Sequence, residues 1–135
     1  KLLSDFLACE TTILISTPYL EEAERCSRVA LLHQGRVLAM DAPANLRRLI
    51  TGRMLEVIAP GRATADVLRG LPGVVDAQVF GERVHVTLAG DDGAEDEFRA
   101  ALASTALAEA PVRAVTPSLE DVFIARISGG ESVHV

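Results

Sequence analysis

Apolar positions along this chain change their period several times, and each change marks a new element. Leu2, Leu3, Phe6 and Leu7 share one face at helical spacing, so Lys1 to Cys9 reads as the end of an amphipathic helix. Thr11 to Ser16 is a continuous apolar, β-branched run, the pattern of a strand buried on both faces as in a parallel sheet. Thr17 is placed to cap a helix that Pro18 opens at its first position, where the missing N–H is harmless. Glu21 and Glu22 then sit at the positive end of that helix. Val29 to His33 and Arg36 to Asp41 pair as a hairpin across Gln34-Gly35. Pro43 opens a short helix from Ala44 to Ile50 that ends near Gly52.

After Gly52 the grammar differs. Met54–Ala59 is predicted as a strand and Ala63–Leu71 as a helix. Val74–Phe80 and Arg83–Ala89 are strands joined at Gly81-Glu82, a two-residue turn with glycine first, the type II′ signature. Val84, Val86 and Leu88 alternate onto one face, which leaves His85 on the other. Asp92–Ser104 is a helix with Phe98, Ala101 and Leu102 turned inward, and Ala110–Val115 is a strand. Ser118 caps a last helix, with Asp121 in the capping-box position. The order βαββαβ plus a terminal helix is the split-βαβ, ferredoxin-like plan. The expected boundary lies around Thr51-Gly52-Arg53, and the stretch from Ser128 reads as a linker.

Composition narrows the class. With 135 residues, 49% of them hydrophobic, the chain can bury one core or a partial domain plus a small one. Only 4% is aromatic, so the cores must be built from Leu, Val, Ile and Ala. No apolar run approaches the ~20 residues that span a bilayer. The start at Lys1, without an initiator Met or a small-residue cleavage site, reads as a piece of something longer and not as a secretory leader. The formal charge of −6 falls wholly after residue 50, because the first fifty residues balance. That acidic rear half argues against nucleic-acid binding, which needs a basic footprint. Cys9 and Cys26 match no CxxC spacing and read as reduced cytosolic thiols.

Candidate chemistry is sparse. Glu21, Glu22 and Glu24 diverge around a helix and read as a solvated face, not a metal set. His33 beside its turn reads as a surface histidine, and His134 lies in the tail. Asp91, Asp92, Glu95, Asp96 and Glu97 are acids at a helix start, where they complement the dipole. No His/Cys/Asp group has ligand spacing, and no Ser/His/Asp or Cys/His set can be assembled. Nor is there a GxxxxGK[ST] phosphate loop, so these residues alone are not expected to hold or hydrolyse ATP.

Two stretches carry a resemblance. Thr12-Ile13-Leu14-Ile15-Ser16-Thr17-Pro18-Tyr19-Leu20-Glu21-Glu22-Ala23-Glu24-Arg25-Cys26, followed by Arg28-Val29-Ala30-Leu31-Leu32-His33-Gln34-Gly35-Arg36-Val37-Leu38-Ala39, resembles the last third of the ATP-binding domain of ABC transporters of the drug-export, daunorubicin-resistance type. Pro117-Ser118-Leu119-Glu120-Asp121-Val122-Phe123 resembles the motif that closes the small domain appended to those ATPases. The resemblance implies that residues 1–50 are the end of a nucleotide-binding domain, 53–127 an accessory domain and 128–135 a linker or tail. It implies ATP and Mg as cofactors of the full-length parent, although the family's signature and base would lie upstream of this stretch. The implied partners are a membrane-spanning subunit and a second nucleotide-binding domain, at the inner face of the cell membrane. Pro18 then occupies the place of the family's histidine that touches the γ-phosphate, which implies a degenerate ATP site. Leu119, Val122 and Phe123 would pack on the sheet. A stand-alone ferredoxin-like ligand-binding or dimerisation module is the alternative. It fits poorly with the strand Thr11 to Ser16, which lacks neighbours here and is expected to recruit a second chain, giving a homodimer.

Overall fold

A computed structural model describes residues 11–90 and 92–129, all but the side chain of Asp92. They form a mixed α/β fold with two antiparallel sheets and five helices. The expected helix at Lys1–Cys9, together with Asp91 and His134, lies outside the described residues.

The first unit is a short helix α1 (Leu20–Ala23), a hairpin of β1 (Val29–His33) and β2 (Arg36–Asp41), and helix α2 (Pro43–Arg47). Gln34 (φ 48°) and Gly35 (φ 74°) both turn left-handed, the twist a two-residue hairpin requires. Pro43 takes the first helical position, as its fixed φ favours. The Asp41 carboxylate accepts from the Ala42 N–H (2.7 Å) and from Asn45 Nδ2 (2.9 Å), tying the strand end to the helix start.

The second unit holds β3 (Arg53–Ile58), α3 (Arg62–Arg69), β4 (Val74–Phe80), β5 (Arg83–Leu88), α4 (Asp92–Leu102), β6 (Val112–Ala114) and α5 (Leu119–Ser128). Its four strands lie in the order β4-β5-β3-β6, each neighbour antiparallel. Leu55, Val57, Val84, Val86 and Leu88 fill one sheet face. Ala65 and Leu68 of α3 and Phe98 and Leu102 of α4 cover them. Fully burying a side chain of this size contributes ~1.5–3 kcal/mol, so these residues carry the fold.

Two expectations need correction. Thr11–Ser16 is irregular and not a strand, and Leu14 is 96% exposed. A strand needs ladder partners for its N–H and C=O groups, and no described strand lies beside it. The following helix starts at Leu20, with Tyr19 and not Thr17 at its cap position. Thr17 still serves this turn, accepting from the Tyr19 N–H (3.1 Å) and donating to Glu22 Oε2 (2.7 Å).

The terminal helix also differs from expectation. Leu119 and Val122 were expected on the four-stranded sheet, but they complete a separate core with Ala23, Val29, Leu31, Ala39 and Leu46, and Phe123 packs at its margin. Spacing of i, i+3 and i+4 gives α5 one apolar face, and that face meets the hairpin unit. Asp121, on another face of the helix, is the residue that meets the sheet.

Gly52, between α2 and β3, has φ +97°, and a Cβ there would lie 2.1 Å from the Leu88 carbonyl oxygen. No side chain fits without moving the backbone of β5. Gly52→Ala is therefore expected to lower unfolding stability by at least about 2 kcal/mol, read from urea midpoints. A midpoint within about 0.5 kcal/mol of the parent would refute this close approach.

Candidate functional site

Strand register places four polar side chains in one row across the sheet. Gln78 on β4 opposes His85 on β5, His85 opposes Glu56 on β3, and Glu56 opposes Arg113 on β6. This row occupies the face away from α3 and α4, because Glu56 alternates with the core residues Leu55 and Val57. Glu56 is only 3% exposed. It accepts from Arg113 Nε at 2.6 Å and lies 3.3 Å from His85 Nε2, with Arg83 at 3.5 Å.

Helix α5 closes over this row. The other nitrogen of His85, Nδ1, is 2.6 Å from Asp121 Oδ1. Asp121 Oδ2 accepts from the Ser118 N–H (2.8 Å) and Oγ–H (2.7 Å), and the Asp121 N–H donates back to Ser118 Oγ (3.2 Å). The sequence-predicted capping box is thus present, and it does more than cap. One carboxylate fixes the start of α5 and docks it on the sheet.

A carboxylate faces each ring nitrogen of His85, so only the imidazolium, with both nitrogens donating, satisfies both. The bond to Asp121 holds the His85 pKa above the ordinary imidazole value; burial opposes this, and Asp121 and Glu56 reinforce it by charge. Burial pushes Asp121 up, but the bonds from His85 and Ser118 outweigh it and leave its pKa lowered. For Glu56 burial also pushes up, and Arg113, His85 and Arg83 together leave it lowered. The Phe80 ring lies at a tilt on His85, with centroids 4.6 Å apart.

A second connection reaches α5 from the first unit. Glu24, just past α1, accepts the Leu119 N–H at 2.9 Å and pairs with Arg47 of α2 at 2.5 Å. The Leu119 N–H belongs to the first turn of α5, where intrahelical partners are lacking, so Glu24 supplies one from far away in sequence. Glu21 and Glu22 are exposed, as a solvated face requires, but Glu24 is half-buried and departs from that reading. Pro18 is exposed, ahead of α1, and offers neither N–H nor polar side chain.

The remaining candidates fall elsewhere. His33 is half-buried against Phe123 (centroids 6.0 Å, edge-on) and so is not a free surface histidine. Cys26 is an unpaired thiol, and Cys9 lies outside the described residues. Glu95 is held by Arg53 (2.5 Å) and Arg99 (2.8 Å), while Asp96 and Glu97 face solvent. Among the described residues no group of three or more His, Cys, Asp and Glu is arranged to hold a metal ion. A cleft of about 380 Å³ runs between α5 and the sheet, walled by Ile50, Met54, His85, Thr87, Asp121 and Ala125. Every fully buried side-chain N or O among the described residues has a hydrogen-bond partner, so the inner part of the row ties the sheet to α5. Sequence reading missed this network. Its available signals were Glu56, a charge in the middle of an apolar strand, and His85, set by alternation on the face away from the core.

The pKa directions fix a pH dependence. A raised His85 value means its contribution is complete below about pH 6.5 and fades as pH climbs through the folded value. Lowered Asp121 and Glu56 values mean their contribution is complete above about pH 4.5 and fades as pH falls through theirs. Stability from this site should therefore peak in mild acid. His85→Gln is expected to cost about 3 kcal/mol at pH 6 and to flatten the alkaline limb in urea titrations. An alkaline limb identical to the parent's would contradict the pairing.

No protein-family model matches the chain. Among the described residues no helix is long and apolar enough to cross a membrane. The chain is 34% identical over 125 residues to the daunorubicin resistance ATP-binding protein of Streptomyces coeruleorubidus, covering 88% of this chain and 38% of that protein. It is 32% identical over 120 residues to the probable multidrug ABC transporter ATP-binding protein of Escherichia coli, covering 87% and 20%. Against the Nod factor export ATP-binding protein of Rhizobium it is 35% identical over 126 residues, covering 93% and 39%. The chain thus spans between a fifth and two fifths of the length of these relatives. Its homologues, at 32–35% identity over most of its own length, are ABC transporter ATP-binding proteins, and it is related to them by sequence.

Proposed function

We propose that this chain is the rear part of the ATP-binding subunit of an ABC exporter. In this reading residues 1–50 end the nucleotide-binding domain, 53–127 form a ferredoxin-like accessory domain, and 128–135 are a linker. The strand order β4-β5-β3-β6, with α3 and α4 on one face, supports the split-βαβ plan. The whole subunit would use ATP with Mg at the inner face of the cell membrane, beside a membrane-spanning subunit and a second nucleotide-binding domain.

Our reading of the accessory domain is regulatory. The observation that carries it is the pair of bonds at the start of α5. Glu24, six residues after Pro18, holds the Leu119 N–H, and Asp121 two residues on holds His85 of the sheet. Thr17, adjacent to Pro18, is bonded to Glu22 of the same α1 helix. A displacement of the segment around Pro18 would therefore reach the sheet through three hydrogen bonds, Thr17–Glu22, Glu24–Leu119 and Asp121–His85, and the first turn of α5. Coupling of this kind needs an element with two arrangements that both sites bias, and α5 is our candidate.

Pro18 stands in this reading at a degenerate ATP site. Losing one preorganised donor typically costs ~10²–10³ in rate. In the full-length protein Pro18→His is expected to raise ATP hydrolysis by roughly ten-fold or more. An unchanged rate removes the degenerate site. Adding Glu24→Ala to that variant should alter the rate again; independence of the two changes would remove the coupling through α5.

We also propose that the 135-residue chain pairs with a second copy through its exposed apolar segment around Leu14 and Ile15. Light scattering of the isolated chain should give a dimer, reduced to a monomer by Leu14→Ser with Ile15→Ser. A monomeric parent excludes this pairing.

A further inference from the structure

Both edges of the four-stranded sheet are met by an arginine from the neighbouring helix. On the β4 edge, Ala77 turns its backbone outward, and neither polar group is left open. Its N–H is accepted by Asp76 Oδ1 (2.8 Å), and its carbonyl oxygen accepts from Arg69 Nη2 (2.5 Å). On the β6 edge, the carbonyl oxygen of Val112 accepts from Arg99 Nη2 (3.2 Å). Arg69 lies in the last turn of α3 and Arg99 in the last turn of α4.

Each arginine is held in place by an acid one turn earlier on its own helix. Asp66 accepts from Arg69 Nη1 (2.9 Å), and Glu95 accepts from Arg99 through Nε (2.9 Å) and Nη2 (2.8 Å). A guanidinium has five donors in a planar fork, so it can hold an acid and still offer an N–H to the strand. The edges carry further obstacles of a kind known to discourage pairing. β4 has a register shift between Val74 and Asp76, and β6 is three residues long.

Open edge carbonyls and N–H groups are a template for another strand. We infer that Arg69 and Arg99 are matched edge guards that occupy one outward carbonyl on each edge, Ala77 on β4 and Val112 on β6, and so hinder strand addition to this sheet by a second copy of the chain. The guards leave any association of the protein to surfaces other than this sheet. The inference does not depend on the proposed function, since it uses only the two sheet edges. A plain helix-end charge would not need the fork: lysine complements a helix C-terminus equally well, but is a single point charge.

The test is made on the full chain with Arg69→Met and Arg99→Met, which keep the apolar stem and remove the donors, and with the two lysine variants. Sedimentation at several concentrations measures association, and amide hydrogen exchange reads the outer backbone of β4 and β6. The methionine variants should associate roughly ten-fold more tightly than the parent, with slowed exchange at the uncovered edge, and the lysine variants should follow them in part. Folded methionine variants with the parent's association and exchange would overturn the inference. So would tighter association without slowing at either edge, or lysine variants that match the parent. Where a methionine variant does not fold, the lysine variant at that position is read against the same outcomes.

Discussion

The carboxylate of Asp121 is the constraint on which the arrangement of this chain rests. One of its oxygens accepts twice from Ser118, and the other meets His85 on the sheet. A buried carboxylate is tolerated only when both oxygens are engaged and a counter-charge is near. That requirement sets the position of α5 in two respects at once. The cap fixes where the helix begins, and the imidazolium fixes which face of the sheet it lies against. With its start fixed, the i, i+3, i+4 face of α5 has Leu119 and Val122 left to bury, and the hairpin unit receives them. Helix α5 is therefore shared between the two units by chemistry: apolar on one side, ionic on the other.

The same residues explain why Glu56 can sit at 3% exposure in an otherwise apolar strand. An uncompensated carboxylate there would cost several kcal/mol, which burial of one neighbouring Val or Leu could not offset. Arg113 and His85 lie directly across from it in register, so compensation comes from the two strands that flank β3. The cross-strand row thus adds to the apolar pattern in fixing the register. A slip of one residue would leave Glu56 on the wrong face and unpaired.

Much of the local structure was legible from the sequence because its signals are themselves local. Gly35 and Gly81 mark turns with positive φ, Pro43 marks a helix start, and Ser118 with Asp121 marks a cap. Those motifs are decided within a few residues, and strand Val74–Phe80 falls at the expected bounds. What was not legible depends on distant partners. Alternation says that His85 faces away from the core, but not that Asp121, 36 positions on, will meet it. The exposed Glu21 and Glu22 and the engaged Glu24 share one composition and differ only in what the fold brings near. Thr11–Ser16 shows the converse: an apolar run states a preference for a ladder, and without a neighbouring strand that preference has nothing to act on.

Two kinds of polar contact serve opposite ends in this chain. Inside, the row through Glu56 and His85 attracts α5 and fixes a contact. At the rims, Arg69 and Arg99 spend their donors on carbonyls that would otherwise recruit another strand. The difference follows from exposure. Arg69 and Arg99 keep close to half of their side-chain surface in water, so each pair with its own helix acid adds little stability, about 0–1 kcal/mol. Their effect lies in what they exclude, because a strand added at the edge would have to displace a charged donor that its own helix acid holds in place there. The sheet thus carries an ionic row where α5 meets it and an arginine on one carbonyl of each edge.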